Sequence, residues 1–330
     1  MGAAYQAAVD LAIVVEALEK AVDAGAAQVL DRDGTIVSMR VEMDAKTAEI
    51  VKLTEQLMQL VDVTTVVGSS AQPGNLAAFG VLEDLVGKLG AWRMFISGPR
   101  PGTVDVERVR TCLAGKRVPF VSVSGTTDVA AATASATEFV RVMKPLGGAG
   151  WITFGHEPTQ KYTDAAAYVK AKNAYYTVIR DELPAWSTID IFMLFDIVAG
   201  TASATSGVYD PARHPDRWIA DLALLDAIGV DAYDQGKKTP QEMLAPALAL
   251  VDKYKRPLWV TETSTVEDPA RPAYKPDWIR ALAAFAKSDD RIAGWIWFHS
   301  GVGPNAPAYG WFVTTTPAST AAFKAAVADQ

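Results

Sequence analysis

The sequence predicts an α/β protein, a (β/α)8 TIM barrel preceded by an N-terminal α-helical coiled-coil stalk. Two observations carry this prediction. From residue 63 onward, short runs of β-branched and aromatic residues alternate with longer amphipathic stretches. Before residue 63, apolar residues recur with the seven-residue period of a coiled coil. The predicted domains are therefore a stalk at residues 1–62 and a barrel at residues 63–330.

The stalk prediction rests on one heptad register. Its a and d positions are occupied in turn by Ile36, Met39, Met43, Lys46, Ile50, Leu53, Leu57 and Leu60. Asp33 and Gly34 interrupt the earlier part of the pattern, so two helical segments are expected instead of one rod. The narrow stripe favours self-association over an amphipathic helix packed on its own domain. We expect a homo-oligomer and favour a trimer, although these residues do not choose cleanly between two and three strands.

Eight strand candidates follow the stalk, each a short apolar run. They lie at residues 63–67, 92–97, 119–123, 151–155, 189–195, 229–233, 258–261 and 292–298. Helical stretches alternate with them at residues 76–89, 104–113, 129–143, 164–183, 215–227, 240–253, 277–287 and 318–328. This alternation predicts a closed parallel barrel. A doubly wound open sheet is less favoured, because Gly148 and Gly150 lead into a strand, whereas dinucleotide-binding glycines lead into a helix.

Composition disfavours several classes of function. The formal net charge of -7 and the lack of a basic run disfavour nucleic acid as a partner. No apolar stretch approaches the ~18 residues of a membrane span. Asp10 and Glu16 bracket the apolar run at 11–15 without a preceding basic segment, so no signal peptide is expected. Cys112 is the single cysteine, so neither a disulfide nor a cysteine-based zinc site is expected.

Two glutamates follow strand candidates at the predicted carboxyl rim of the barrel, where TIM-barrel active sites lie. Glu157 comes after the fourth strand, and Glu262 closes the seventh. Cleavage of a glycosidic bond requires one carboxyl group to protonate the departing oxygen and another to attack or stabilise the anomeric carbon. We therefore predict that the two glutamates are a catalytic pair, which requires no cofactor and no metal.

The residues around this pair resemble glycoside hydrolase family 26, a family of retaining clan A barrels. The resemblance covers residues 63–330 and rests on three motifs. These are His156-Glu157 after strand four, Val-Asp-Ala-Tyr at 230–233 in strand six, and Thr261-Glu262 after strand seven.

The resemblance implies a role for each of five residues. Glu157 would be the acid/base and Glu262 the nucleophile. His156 would orient the acid/base, and Tyr233 would hydrogen-bond the nucleophile. Trp297, on strand eight, would form the aromatic platform for the sugar.

The chain also departs from the family pattern. Family members continue His-Glu-Met-Asn and then carry tryptophans, whereas this chain continues with Pro158, Thr159 and Gln160. The mannan specificity of the family is therefore not implied. Asp196 and Asp231 are expected either at the polar rim or as inward groups that shape the cleft, and their roles stay open.

A helical stalk joined to a hydrolase-like barrel in an alanine-rich chain resembles the minor tail proteins of actinobacterial phages. The resemblance implies a virion tail protein that acts outside the host cell, with other tail proteins and a host-envelope polysaccharide as partners. Two alternatives stay open. The barrel is a non-catalytic carbohydrate-binding or structural module, or the chain is a free bacterial enzyme similar to an endo-β-mannanase.

Overall fold

The computed structural model describes residues 65–70, 76–96, 98, 100–199, 210–300 and 311–330. The predicted stalk at residues 1–62 lies outside these residues, and its heptad stays a prediction. Within the described ranges, eight parallel strands form a closed barrel in which each strand pairs with the next and β8 pairs with β1. The predicted (β/α)8 barrel is confirmed.

The strands and helices alternate along the chain. The strands are β1 Val66–Ser70, β2 Ala91–Ile96, β3 Val118–Val123, β4 Gly150–Phe154, β5 Trp186–Met193, β6 Ala227–Asp234, β7 Leu258–Thr265 and β8 Ile292–Phe298. The helices are α1 Leu76–Val86, α2 Thr103–Ala114, α3 Val129–Met143, α4 Ala165–Glu182, α5 Leu194–Ala199, α6 Pro240–Tyr254, α7 Tyr274–Ser288 and α8 Pro317–Ala328. No helix in these ranges is long and apolar enough to cross a bilayer.

Several helices begin at side chains that accept hydrogen bonds from the first turn. Asp128 accepts from the amide of Ala131 at 2.8 Å and so begins α3. At α6, Thr239 and Glu242 form a capping box, and Pro240 occupies the first helical position. These contacts satisfy amide groups that the helix itself leaves without partners. The ends of α3 and α6 are therefore encoded locally.

Two hydrophobic layers hold the barrel. The larger lies between the strands and the surrounding helices, and the smaller fills the barrel interior with Phe120, Ile189, Ile191, Ala227, Trp259 and Ile296. The indole of Trp259 needs the space beside Gly294, because a Cβ at Gly294 would approach that ring to 2.5 Å. A glycine in the middle of β8 thus makes room for the largest side chain of the interior.

The helix predicted at residues 215–227 is wrong. This segment forms short 3-10 turns at Pro215–Arg217 and Leu222–Leu224, and the helix after β5 is α5 instead. A buried ion pair explains the difference, since Lys172 and Asp190 lie 2.6 Å apart. Lys172 also donates to the carbonyl of Trp218, and Asp190 accepts from the amide of Ala220 at 2.6 Å. These bonds engage backbone groups that a helix would use itself.

Candidate functional site

The loop after β4 carries Glu157 in an unusual backbone conformation. Glu157 has φ 53° and ψ 55°, the left-handed region, and Gly155 two residues earlier has φ 62°. The amide of Glu157 donates to the carbonyl of Ile191 on β5 at 3.1 Å. A non-glycine residue in this region is strained by roughly 1–3 kcal/mol, and such residues concentrate at functional sites. The chain therefore fixes Glu157 by its backbone, three residues beyond the end of β4.

Glu262 lies within β7, not at its end as predicted, because β7 continues to Thr265. The strand contains one extra residue at this point. Val230 of β6 pairs with Val260, but Asp231 pairs with Glu262, so Thr261 has no opposite residue. The register on the β8 side shifts at the same place. This bulge lets consecutive residues face the interior, where Thr261 contacts Asp231 and Glu262 contacts Arg93.

Arg93 on β2 is the centre of the charge network. Its side chain is fully buried, and Nη1 lies 2.8 Å from Asp231 Oδ1, 2.8 Å from the Thr261 carbonyl and 3.1 Å from Glu262 Oε1. Thr261 Oγ1 donates a further bond to Asp231 at 2.6 Å. A buried guanidinium requires such anionic partners, because desolvation alone would be costly. Arg93 thus holds the Glu262 carboxylate in place, while Asp231 holds Arg93.

Tyr233 on β6 provides the second donor to Glu262. Its hydroxyl group donates to Oε2, while Arg93 contacts Oε1, so each carboxylate oxygen has its own partner. The Tyr233 ring packs between Phe298 at 5.6 Å and Trp311 at 5.3 Å between ring centroids. Glu262 itself is only 7% exposed. The carboxylate is therefore oriented from two sides by groups that stabilise its charge.

Burial raises the pKa of both glutamates, to about 7 for Glu157 and about 8 for Glu262. For Glu157 the charge of Asp231 raises the pKa further, and Arg93 opposes the rise. For Glu262, burial also dominates, Arg93 and Tyr233 oppose it, and the charges of Asp231 and Glu157 add to it. The charge of Glu157 thus acts on Glu262, so the titration of one carboxyl group affects the other.

The hydrogen bonds of the site, against the order of those two pKa values, favour Glu157 as the protonated group of a singly protonated pair. Glu262 has two donors that stabilise its ionised form, Arg93 and Tyr233. The side chain of Glu157 has no hydrogen-bond donor among the residues that the structure describes. The ionised form is thus favoured at Glu262 and the neutral form at Glu157. A carboxyl group that favours its neutral form is thus within electrostatic range of a carboxylate that favours its ionised form.

His156 does not contact the Glu157 side chain in the described part of the chain. Its ring packs edge-on against Phe95 at 5.4 Å, and its Nε2 lies 3.3 Å from Lys161 Nζ. Burial, followed by the charges of Arg93 and Lys161, lowers the pKa of His156 well below its ordinary value. His156 is therefore neutral, and the loop backbone instead of this ring fixes Glu157.

The two aspartates whose roles were open have different positions. Asp231 faces inward and is fully buried in its pair with Arg93. Asp196, on α5, is also buried, forms an ion pair with Arg213 at 2.6 Å and accepts a hydrogen bond from Thr159. Asp196 thus ties the loop that carries Glu157 to α5. Neither aspartate has exposed surface with which to contact a sugar.

The prediction of Trp297 as a sugar platform is wrong. Trp297 is 0% exposed, packs on Trp278 of α7 and Phe323 of α8, and donates through Nε1 to the Trp311 carbonyl at 2.9 Å. It therefore faces the helices and not the cleft. The next residue, Phe298, is partly exposed and contacts Tyr233, so it presents the aromatic face on this side of the site.

Sequence reasoning missed Arg93 and Lys161. A signal for Arg93 was present, since a charged residue interrupts the otherwise apolar run of β2. Lys161 lies in a polar loop, where nothing in the pattern distinguishes it. Within the described ranges, no group of three histidine, cysteine, aspartate or glutamate side chains is placed to hold a metal ion.

Comparisons with known proteins identify solved structures of the same fold. A scan against protein-family models and a search of curated proteins each found no match. The exo-β-1,4-mannosidase Op5Man5 from Opitutaceae bacterium strain TAV5 matches with TM-score 0.50 and 15% identity, over 74% of this chain and 54% of that chain. This chain thus spans about half the length of that protein.

An endo-β-1,4-glucanase from Xanthomonas axonopodis pv. citri matches with TM-score 0.55 and 13% identity, over 80% of this chain and 99% of that chain. XacCel5A in complex with cellopentaose matches with TM-score 0.54 and 13% identity over the same shares. At these identities the likeness shows a common fold alone, the (β/α)8 barrel.

Proposed function

We propose that the barrel hydrolyses a polysaccharide by a retaining, two-carboxylate mechanism. The observation that carries the proposal is the Glu262 carboxylate, buried within β7 and held by Arg93 and Tyr233, with a second carboxyl group, Glu157, whose charge acts on it. Two carboxyl groups in different protonation states are what glycosidic cleavage requires. The resemblance to family 26 and the fold of the solved glycoside hydrolases support the proposal.

In the first step, Glu262 attacks the anomeric carbon while Glu157 donates its proton to the departing glycosidic oxygen. The C–O bond to the leaving sugar breaks, and a glycosyl ester of Glu262 forms. The ester carries no charge, so the repulsion that raised the pKa of Glu157 disappears. Glu157, now ionised, is a suitable base for the second step.

In the second step, Glu157 accepts a proton from water, and the resulting hydroxyl attacks the anomeric carbon. The ester bond breaks, and Glu262 leaves as a carboxylate. Arg93 and Tyr233 stabilise the charge that returns to Glu262, which makes it a better leaving group. Each atom is accounted for, and Glu157 finishes protonated as it began.

The test compares the wild type with Glu157→Gln and Glu262→Gln on purified envelope glycans, β-glucans and β-mannans. We expect release of reducing ends by the wild type and by Glu182→Gln, a control that neutralises an exposed carboxylate paired with Lys144. Both site variants should lose at least 100-fold in rate. If all four proteins bind a glycan equally and none releases sugar ends, the barrel is a binding module and the proposal is wrong.

We further propose that the chain is a phage tail protein, with the 1–62 stalk as its oligomerisation element. The heptad from Ile36 to Leu60 and the resemblance to actinobacterial phage tail proteins support this. A multimeric stalk would also bring several sugar sites together and increase avidity. In the full chain, replacing Ile50 and Leu57 by Asp should convert a trimer to a monomer in sedimentation. A monomeric wild type would contradict the stalk, and absence of the chain from purified virions would contradict the tail role.

A further inference from the structure

We propose that Lys161 forms a cationic subsite beside the two glutamates, and that the glycan recognised there carries a hexuronic acid next to the bond that is cut. This inference rests on the proposed function, because it names the substrate class of the same cleft. It starts from the position of one ammonium group relative to His156 and Glu157.

Lys161 is folded back over the end of β4. It follows the short turn Pro158–Gln160, and its amide donates to the Pro158 carbonyl at 3.0 Å. Its Nζ lies 3.0 Å from the carbonyl oxygen of His156 and 3.3 Å from the ring Nε2. Two of the three N–H groups of the ammonium are thus directed at His156. The third is available to a ligand.

The ammonium lies on the same side of the barrel as the reacting carboxyl groups. Burial lowers the pKa of Lys161, the charges of Glu157, Asp231 and Glu262 oppose this by favouring the charged form, and the charge of Arg93 adds to the lowering. Within the described ranges, no carboxylate oxygen of the protein lies within 4.0 Å of Nζ. Arg93, the other cation of the site, is already engaged by Asp231 and Glu262. Lys161 is therefore an exposed cation beside the two glutamates, without an ionic partner among the described residues.

A neutral sugar bound here would cover this ammonium without supplying an anion. Covering a charge is costly unless an opposite charge or strong acceptors replace the lost water. A sugar carboxylate does so with one charge-assisted hydrogen bond, and a single free N–H suits a monoanion. The wall beside Lys161 is formed by the neutral ring of His156 and by Phe95, which add apolar surface for the pyranose. The subsite therefore combines one cation with an uncharged wall.

The test uses pairs of glycans that differ only in the carboxylate. Oligosaccharides of β-1,4-linked glucuronate are compared with cello-oligosaccharides, and those of β-1,4-linked mannuronate with manno-oligosaccharides, by calorimetry at low and high salt. We expect the wild type to bind at least one acidic member at least 10-fold more tightly than its neutral counterpart. This preference should weaken with salt and disappear in Lys161→Gln. Lys161→Arg and the exposed control Lys170→Gln should retain it.

Equal binding of acidic and neutral glycans, or a preference unchanged in Lys161→Gln, would overturn the inference. The inference would also be wrong if Lys161→Gln changed only the pH dependence attributed to Glu157 and left glycan binding unchanged. Lys161 would then affect the pKa of the acid and would not bind the ligand. If a sulfated cello-oligosaccharide binds as tightly as the acidic glycan, Lys161 recognises anions in general, and the assignment to a hexuronic acid is wrong. Binding of an acidic glycan through Lys161 without cleavage would contradict the proposed function and leave the subsite standing. Cleavage of neutral glycans alone would support the proposed function and contradict the cationic subsite.

Discussion

The hydrogen bond from the Tyr233 hydroxyl to Glu262 is the simplest single contact with which to test the role of Glu262. Tyr233→Phe removes the hydrogen bond to the Glu262 carboxylate and retains the ring that packs on Phe298 and Trp311. A hydrogen bond to a charged group contributes about 1.5–3 kcal/mol. Because the bond stabilises the ionised form, its loss should raise the pKa of Glu262 by about 1–2 units, at 1.36 kcal/mol per unit.

The nucleophile must be ionised, so kcat/KM of Tyr233→Phe should fall roughly 10- to 100-fold on the acidic side of the profile. The acidic limb should move to higher pH, and part of the loss should be recovered as pH rises. The assay is a pH–rate profile beside Tyr254→Phe, which removes a tyrosine bond to a surface carboxylate, Asp216. An unchanged acidic limb with unchanged kcat/KM would refute the assignment of this bond to the nucleophile.

Three further predictions test other parts of the site. Arg93→Met should lower the free energy of unfolding by about 3–5 kcal/mol in urea titrations, because it leaves Asp231 buried without its partner, and adding Asp231→Asn should restore part of the loss. Phe298→Ala should raise KM roughly 2- to 10-fold, while Trp297→Phe should leave KM unchanged. The opposite result would show that Trp297 is the residue that stacks on the sugar. Burial raises the pKa of Glu157 to about 7. Activity that needs its proton should therefore be present below that pH and decline as pH rises through it. A pH–rate profile that stays flat to pH 9 would contradict the role of Glu157 as the acid.

The barrel was predictable because each strand is buried on both faces and each helix on one. The short apolar runs of the strands and the longer amphipathic stretches of the helices differ in length and period throughout residues 63–330. Helix α3 and strand β8 match their predicted bounds to the residue. The segment 215–227 was not predictable, since its local pattern is helical and only the distant buried pair Lys172–Asp190 makes it form turns. Tertiary hydrogen bonds outweighed local propensity there.

The rule that TIM-barrel sites lie at the carboxyl ends of the strands pointed to both glutamates, although Glu262 lies within β7, and it did not reveal their immediate partners. Arg93 belongs to a different strand, and only the closed barrel brings it to Glu262. The bulge at Thr261 changes which residues of β7 face inward, and its one extra residue is visible only in the strand pairing. Trp297 was misplaced because, in a strand buried on both faces, the alternation does not tell which face is the interior. Sequence therefore found the two carboxyl groups that we propose as reacting groups and missed what orients them.

The covalent intermediate on Glu262 tests the central claim most directly. Wild type is incubated with dinitrophenyl 2-deoxy-2-fluoro-β-glycosides of glucose, mannose and glucuronic acid, which form the ester quickly and release it slowly, and the digested protein is analysed by mass spectrometry. The account predicts one added fluoroglycosyl group on the peptide that contains Glu262, and none in Glu262→Gln. A label on any other carboxylate, equal labelling of Glu262→Gln, or no label from all three sugars would contradict it.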